Sequence, residues 1–174
     1  NISEYTYIGF GGPFREDFKA IHNALRINKM ISIEMDENVY KRQVFNLPAR
    51  IIESRHCKSD VFIEKFDEIT GNSIFWLDYT SPTQLNEQLT EFRRLITKMQ
   101  KFDIAKITIN AHAAHLGTPQ TDEDEDLKIL NLNNYRAKIL TKRVDGFWNE
   151  DIKISEIQSG SYPKTLLKIL KHCV

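Results

Sequence analysis

A chain of 174 residues has room for one domain with a sizeable core, since domains most often run to roughly 100–150 residues. Lys and Arg total 24 and Asp and Glu total 24, so the net charge is zero, which removes the composition-level case for a general nucleic-acid or anionic-membrane binder. With 41% hydrophobic and 28% charged residues, no apolar run of membrane-spanning length and no signal pattern in Asn1-Ile2-Ser3-Glu4, the chain reads as an ordinary cytoplasmic globular protein.

The first apolar run, Tyr5-Thr6-Tyr7-Ile8, is β-branched and aromatic and stops at Gly9-Phe10-Gly11-Gly12-Pro13. This predicts a strand entering a glycine loop. Phe14, Phe18, Ile21, His22 and Leu25 then recur at helical spacing. Met30-Ile31-Ser32-Ile33-Glu34 predicts a second strand ending at a carboxylate, and Val39 to Phe45 a short helix ending near the Asn46-Leu47-Pro48 turn. Ala49-Arg50-Ile51-Ile52-Glu53-Ser54 predicts a third strand, and Lys58-Ser59-Asp60 the start of a helix. After the Thr70-Gly71-Asn72 turn, Ser73-Ile74-Phe75-Trp76-Leu77-Asp78-Tyr79 is the most strand-like stretch of the chain. Ser81-Pro82-Thr83 opens a long amphipathic helix, and Ile104 to Ala111 predicts a fifth strand.

The last third is harder to place. Residues 117–126 form a polar loop whose acidic run, Asp122-Glu123-Asp124-Glu125-Asp126, reads as solvated. Leu127–Leu140 and Pro163–Cys173 have helical patterning, and Lys153 to Ile157 is taken as a sixth strand. The two cysteines, Cys57 and Cys173, lie far apart and support neither a disulfide framework nor a metal pair.

Strands alternating with helices predict an α/β fold with a doubly wound, mostly parallel sheet and one domain over 1–174, its core within 1–117 and a helical part in 118–174. Right-handed crossovers put every strand's C-terminal end on one edge, where such sheets bind ligands. The residues expected there are Gly9–Gly12, Glu34–Asp36, the Cys57–Asp60 loop, Asp78–Thr80 and Asn110–His112.

A glycine loop at that edge lets backbone approach a ligand, although a structural turn would also need glycine. Its spacing departs from the dinucleotide fingerprint, because Phe14 stands where the third glycine belongs. Glu34 at the second strand's end suits the two hydroxyls of a ribose, or it caps the following turn. Asp60 reaches toward an adenine or serves as its helix's N-cap. Asp78 ends an otherwise apolar strand, which makes it a candidate base or orienting group; the alternative is a bond to the next helix's amides. His112 and His115 lack further ligands at diagnostic spacing, and neither a G-x-S-x-G elbow nor a phosphate-binding G-x-x-x-x-G-K-[ST] loop is present.

The segments Tyr7-Ile8-Gly9-Phe10-Gly11, Asp17-Phe18, Met30-Ile31-Ser32-Ile33-Glu34 and Trp76-Leu77-Asp78-Tyr79 resemble the class I S-adenosylmethionine-dependent methyltransferases, more narrowly a bacterial group labelled as O-methyltransferases. The resemblance implies a Rossmann-like sheet of seven strands, with S-adenosylmethionine as cofactor. It implies the methionine and ribose moieties along Gly9, Phe10, Gly11 and Gly12, the ribose hydroxyls on Glu34 beside Met35, adenine near Asp60 and the methyl group near Asp78. This strand offers Tyr7 and Ile8 where many relatives place an acid, and the Asp/Asn-Pro-Pro-Tyr/Phe motif of amino-methylating enzymes is absent at Asp78-Tyr79-Thr80-Ser81-Pro82. The closing antiparallel strands are not readable after Gly117, and the start at Asn reads as a piece of a longer chain.

The expected function is methyl transfer to an oxygen or nitrogen nucleophile, with the acceptor unknown. A methyltransferase-like scaffold without chemistry, serving a larger assembly, is the alternative, and a nicotinamide-dependent oxidoreductase is a third reading. A small-molecule cofactor is the expected partner; a homo-oligomer or larger assembly stays open, and no membrane is involved.

Overall fold

Five parallel strands form one sheet in the computed structural model, which describes residues 1–46, 51–119 and 125–174. They are β1 (Thr6–Gly9), β2 (Lys29–Glu34), β3 (Ile52–His56), β4 (Ser73–Asp78) and β5 (Ile104–Thr108), in the order β3-β2-β1-β4-β5. The chain starts in the middle, steps outward to β3, then crosses back to β4. This reversal puts the switch point between β1 and β4, so the C-terminal ends of these two strands border the crevice where α/β sheets bind ligands.

The helices are α1 (Glu16–Leu25), α2 (Glu37–Phe45), α3 (Ser59–Glu64), α4 (Leu85–Lys98), α5 (Glu125–Val144) and α6 (Tyr162–Cys173). The described chain divides into two compact units, residues 1–78 with 94–108, and residues 79–93 with 109–174.

In the first unit, strand register sorts side chains onto two faces. Tyr7, Met30 and Ile74 stand level across three strands, and with Ile52 they pack against Phe18, Ile21 and Leu25 of α1. Ile8, Ile31 and Phe75 are the corresponding residues of the opposite face, where Phe75 meets Phe62 and Phe66 edge to face at 5.8 Å. Because both faces of the central strands are covered, β1 is buried along its whole length, as a parallel sheet requires. The edge strand β5 is only partly covered and carries Lys106, whose ammonium lies 3.2 Å from the Trp76 ring centroid.

The second unit is helical. Leu89, Leu140, Val144, Ile157, Leu166 and Ile169 form its buried centre, and Cys173 donates its thiol to the Leu89 carbonyl at 3.3 Å. Both cysteines are free. Among the described residues no helix is long and apolar enough to cross a membrane.

Several expected boundaries shift for identifiable reasons. Phe14 stays outside α1, 63% exposed, because Arg15 adopts left-handed backbone (φ 52°) and the helix begins after it. The fifth strand ends at Thr108, short of Ala111. The sixth strand is absent: Ile154–Glu156 is a 3-10 turn. The Glu156 carbonyl there accepts from Ser161 Oγ and Thr165 Oγ1, at 2.7 and 2.8 Å, so the start of α6 occupies the group that a strand ladder would need. The sheet has five strands among the described residues, against the seven that the resemblance implies. Leu47 and Pro48 of the expected turn, the first two residues of the expected third strand and the centre of the acidic run lie outside the described residues.

Candidate functional site

The glycine loop leaves the C-terminal end of β1, and its three glycines meet different demands. A Cβ on Gly9 would stand 3.1 Å from the Trp76 carbonyl oxygen. On Gly11 it would come within 2.7 Å of Ser32 Oγ and 2.9 Å of Arg15 Cγ, so the close packing of loop on sheet excludes any side chain there. Gly12 is different. Its φ is +50°, and a Cβ would meet nothing within 4 Å. The loop thus packs tightly through Gly11 and turns bare backbone toward open space at Gly12.

Beside the loop lies a group of polar residues that the sequence reading mostly passed over. Tyr7 is fully buried, and its hydroxyl donates to Asp17 Oδ2 at 3.0 Å. Asp17 is half-buried in the first turn of α1, and burial raises its carboxyl above the ordinary range. The Tyr7 hydroxyl and the amides of Asp17 and Phe18 oppose that rise. Burial, reinforced by Asp17, likewise pushes the Tyr7 phenol far up. Asp78 adds a second negative charge that acts on both groups. Register accounts for this: Asp78 falls two residues beyond Trp76 on the face that Tyr7 and Gly9 share. No ion pair neutralises Asp17 or Asp78 among the described residues.

Glu34 ends β2, level with His56 of β3. Its Oε1 accepts the Asp36 amide at 2.8 Å, so it does cap the following turn, while the second carboxylate oxygen has no such bond among the described residues. Asp36 in turn caps α2 by accepting from the Asn38 and Val39 amides. Met35 is 66% exposed at the same edge. Its carbonyl meets His56 Nε2 at 3.1 Å, and the His56 ring stacks on Tyr40 with centroids 5.0 Å apart. Asp60 does not cap α3. Lys58 holds the N-cap position, and Asp60 sits in the first turn, accepting from the Val61 amide at 2.8 Å.

Gly9–Gly12, Glu34, Met35 and Asp78 therefore share one edge of the sheet, at the ends of β1, β2 and β4, while Asp60 follows β3. His112 and His115 belong to the second unit, where His112 accepts the Ala114 amide; among the described residues no group could hold a metal ion. Phe10 is half-buried. In the sequence Asp17 stands out only as part of a resembling motif, and Tyr7 only as a strand residue within such a motif. A tyrosine in an apolar strand ten residues before a first-turn acid is too common a pattern to single out.

All of residues 1–174 match a family model described as "Putative O-methyltransferase". The chain belongs to that family. Membership carries S-adenosylmethionine as the cofactor, and the site's chemistry fits it. An open, side-chain-free backbone turn suits close approach, and two carboxylates that make no ion pair among the described residues suit a sulfonium and an ammonium group.

The sheet agrees at the level of fold. A fibrillarin/Nop5p complex contains a chain that superposes with a TM-score of 0.51 at 9% identity, covering 84% of this chain and 62% of that one. The O-methyltransferase family chain thus spans less than two thirds of that neighbour. A mutant of MtNAS in complex with S-adenosylmethionine is also similar, with a TM-score of 0.45 at 13% identity over 70% of this chain and 45% of that one. No curated protein matches. The Rossmann-like α/β fold of the class I methyltransferases is thereby established.

Proposed function

We propose that this chain uses S-adenosylmethionine to methylate an oxygen nucleophile at the C-terminal edge of the sheet. The observation that carries the reading is an open glycine loop ending β1 and a carboxylate ending β2 on the same edge, in a chain matched over 1–174 by an O-methyltransferase family. The absence of an Asp/Asn-Pro-Pro-Tyr/Phe motif after β4 favours oxygen over an amino nitrogen.

When bound, the cofactor supplies an activated methyl group on a positively charged sulfur. The chain's own part is placement and proton removal. Gly9, Phe10, Gly11 and Gly12 receive the methionine and ribose portions, Glu34 binds the ribose hydroxyls through its available oxygen, and Met35 and Asp60 border the base. Asp17 and Asp78 set a negative potential beside the loop. Asp78, the more exposed of the two, orients the acceptor hydroxyl and takes up its proton.

The test is thermal melting and calorimetry with S-adenosylmethionine and S-adenosylhomocysteine, with NAD and ATP as controls. Ligand at a hundred times its dissociation constant adds about 2.7 kcal/mol of stability. Stabilisation by the first two alone is expected, with affinity reduced in Glu34→Ala and held within a few-fold in Asp78→Asn. Stabilisation by NAD alone would overturn the reading, and so would stabilisation by none of the four.

A further inference from the structure

The glycine loop is fastened from below by helix α2. Gln43 Nε2 donates to the Gly12 carbonyl at 3.0 Å, and Asn46 Nδ2 donates to the Pro13 carbonyl at 3.3 Å. The two carboxamides lie three residues apart, on one face of the helix end, and they reach consecutive carbonyls. Gln43 is fully buried. Its Oε1 accepts from Ser32 Oγ at 3.2 Å and from Arg15 Nη2 at 3.4 Å, and Arg15 also donates to Ser54 Oγ.

Arg15 is only 1% exposed, and its Nε and Nη1 have no partner among the described residues. Such a buried polar group is costly, and apolar side chains of similar volume would commonly serve stability as well or better. A network kept at that cost specifies one geometry. The geometry it specifies includes that of the loop, which it joins to β2 and β3: Arg15 Cγ and Ser32 Oγ hold the space beneath Gly11, the two carboxamides hold the next two carbonyls, and Arg15 ties the network to Ser54.

The other end of α2 is tied to the second half of the site. Asp36 caps the helix and donates its amide to Glu34 Oε1. Its nine residues make a rod about 13 Å long whose two ends hold Glu34 and Gly12. We infer that Gln43 and Asn46 are positioning residues for the cofactor site, a carboxamide clamp through which α2 fixes the glycine loop relative to Glu34. The inference rests on the cofactor reading above.

Gln43→Glu tests it. Glutamate keeps the shape and the acceptor for Arg15 and Ser32, gives the guanidinium a countercharge, and removes the N–H that holds the Gly12 carbonyl. Amide hydrogen exchange at residues 11–16 and calorimetric affinity for S-adenosylmethionine and S-adenosylhomocysteine are read together with the melting temperature. The expected result is a melting temperature within a few degrees of the unsubstituted chain, with loop exchange faster and affinity for both ligands weaker by about tenfold, the scale of one hydrogen bond. Asn46→Asp, at a half-buried helix end, carries the same test should Gln43→Glu not fold, with the same direction expected. Loop exchange that stays slow in the variants overturns the clamp. Faster exchange with unchanged affinity overturns its role in binding. If the unsubstituted chain binds neither ligand, the cofactor reading falls and the positioning role falls with it, an outcome distinct from a chain that binds with variants that bind equally.

Discussion

Replacing Tyr7 by Phe removes a single buried hydroxyl and leaves the ring in place against Phe18, which it meets edge to face at 4.9 Å. No cavity forms, so the change isolates the hydrogen bond to Asp17. A hydrogen bond to a charged group contributes about 1.5–3 kcal/mol, and Asp17 is only half-buried, which puts the expected loss near the lower end, about 1.5–2 kcal/mol at pH 7. For a chain of this length that is a fall of roughly 3–8 °C in melting temperature.

The pH dependence follows from the sign of the Asp17 shift. Its folded pKa is raised above the ordinary 3.8, mainly by burial, so its contribution to stability is fully present below the unfolded pKa and is lost as pH rises through the folded one. The Tyr7 hydroxyl limits that loss by favouring the ionised carboxylate. Tyr7→Phe should therefore cost less near pH 3, about 0.5–1.5 kcal/mol, where the bond joins neutral partners. Urea unfolding followed by Trp76 fluorescence in a Trp148→Phe background reports on the first unit. The double variant Tyr7→Phe/Asp17→Asn should be less destabilised than the sum of the singles, by at least about 1 kcal/mol. Additive losses, or a Tyr7→Phe cost that does not change with pH, would refute the coupling.

Four further outcomes follow. Gly11→Ala forces a methyl to 2.7 Å from Ser32 Oγ and should destabilise by about 1–3 kcal/mol in urea titration. Gly12→Ala, which meets nothing but holds φ at +50°, should cost about 1–2 kcal/mol while weakening S-adenosylmethionine binding in calorimetry more than Gly11→Ala does relative to its stability loss. Tyr162, whose phenol burial pushes up to about 12, should be the component missing from the ultraviolet pH titration of Tyr162→Phe, and the folded state should lose stability as pH rises from about 10 toward that value. Phe75→Ala, which strips the contacts to Phe62 and Phe66, should cost about 3–5 kcal/mol by chemical denaturation.

The parallel order of the sheet was legible because its signals are local. Each strand is an apolar run cut off by glycine, acid or turn residues, and the alternation with amphipathic helices leaves few topologies. The glycine loop, Glu34 and Asp78 were legible for the same reason, since each stands at a strand end. What the sequence hid depends on contacts between distant segments. Lys153 to Ile157 has strand-like composition, but the hydroxyls of Ser161 and Thr165 claim its carbonyl, and no property of the five residues announces that.

The acid expected at the end of β1 illustrates the limit most clearly. The strand has none: Thr6, Tyr7, Ile8 and Gly9 are all buried, and a carboxylate among them would face two packed layers. The Tyr7 hydroxyl reaches ten residues along the chain to Asp17, in the first turn of the helix that follows the loop, where backbone amides and the helix dipole also favour negative charge. Asp78 arrives on the same face from β4. We propose that Asp17 supplies from the helix the carboxylate that the strand lacks. On that account Asp17→Asn should weaken S-adenosylmethionine binding more than binding of the neutral-sulfur S-adenosylhomocysteine, because both ligands keep the ammonium but only one carries the sulfonium. Calorimetry with the two ligands decides it: equal losses would confine Asp17 to the ammonium end, and no loss for either would leave it a brace for Tyr7 alone.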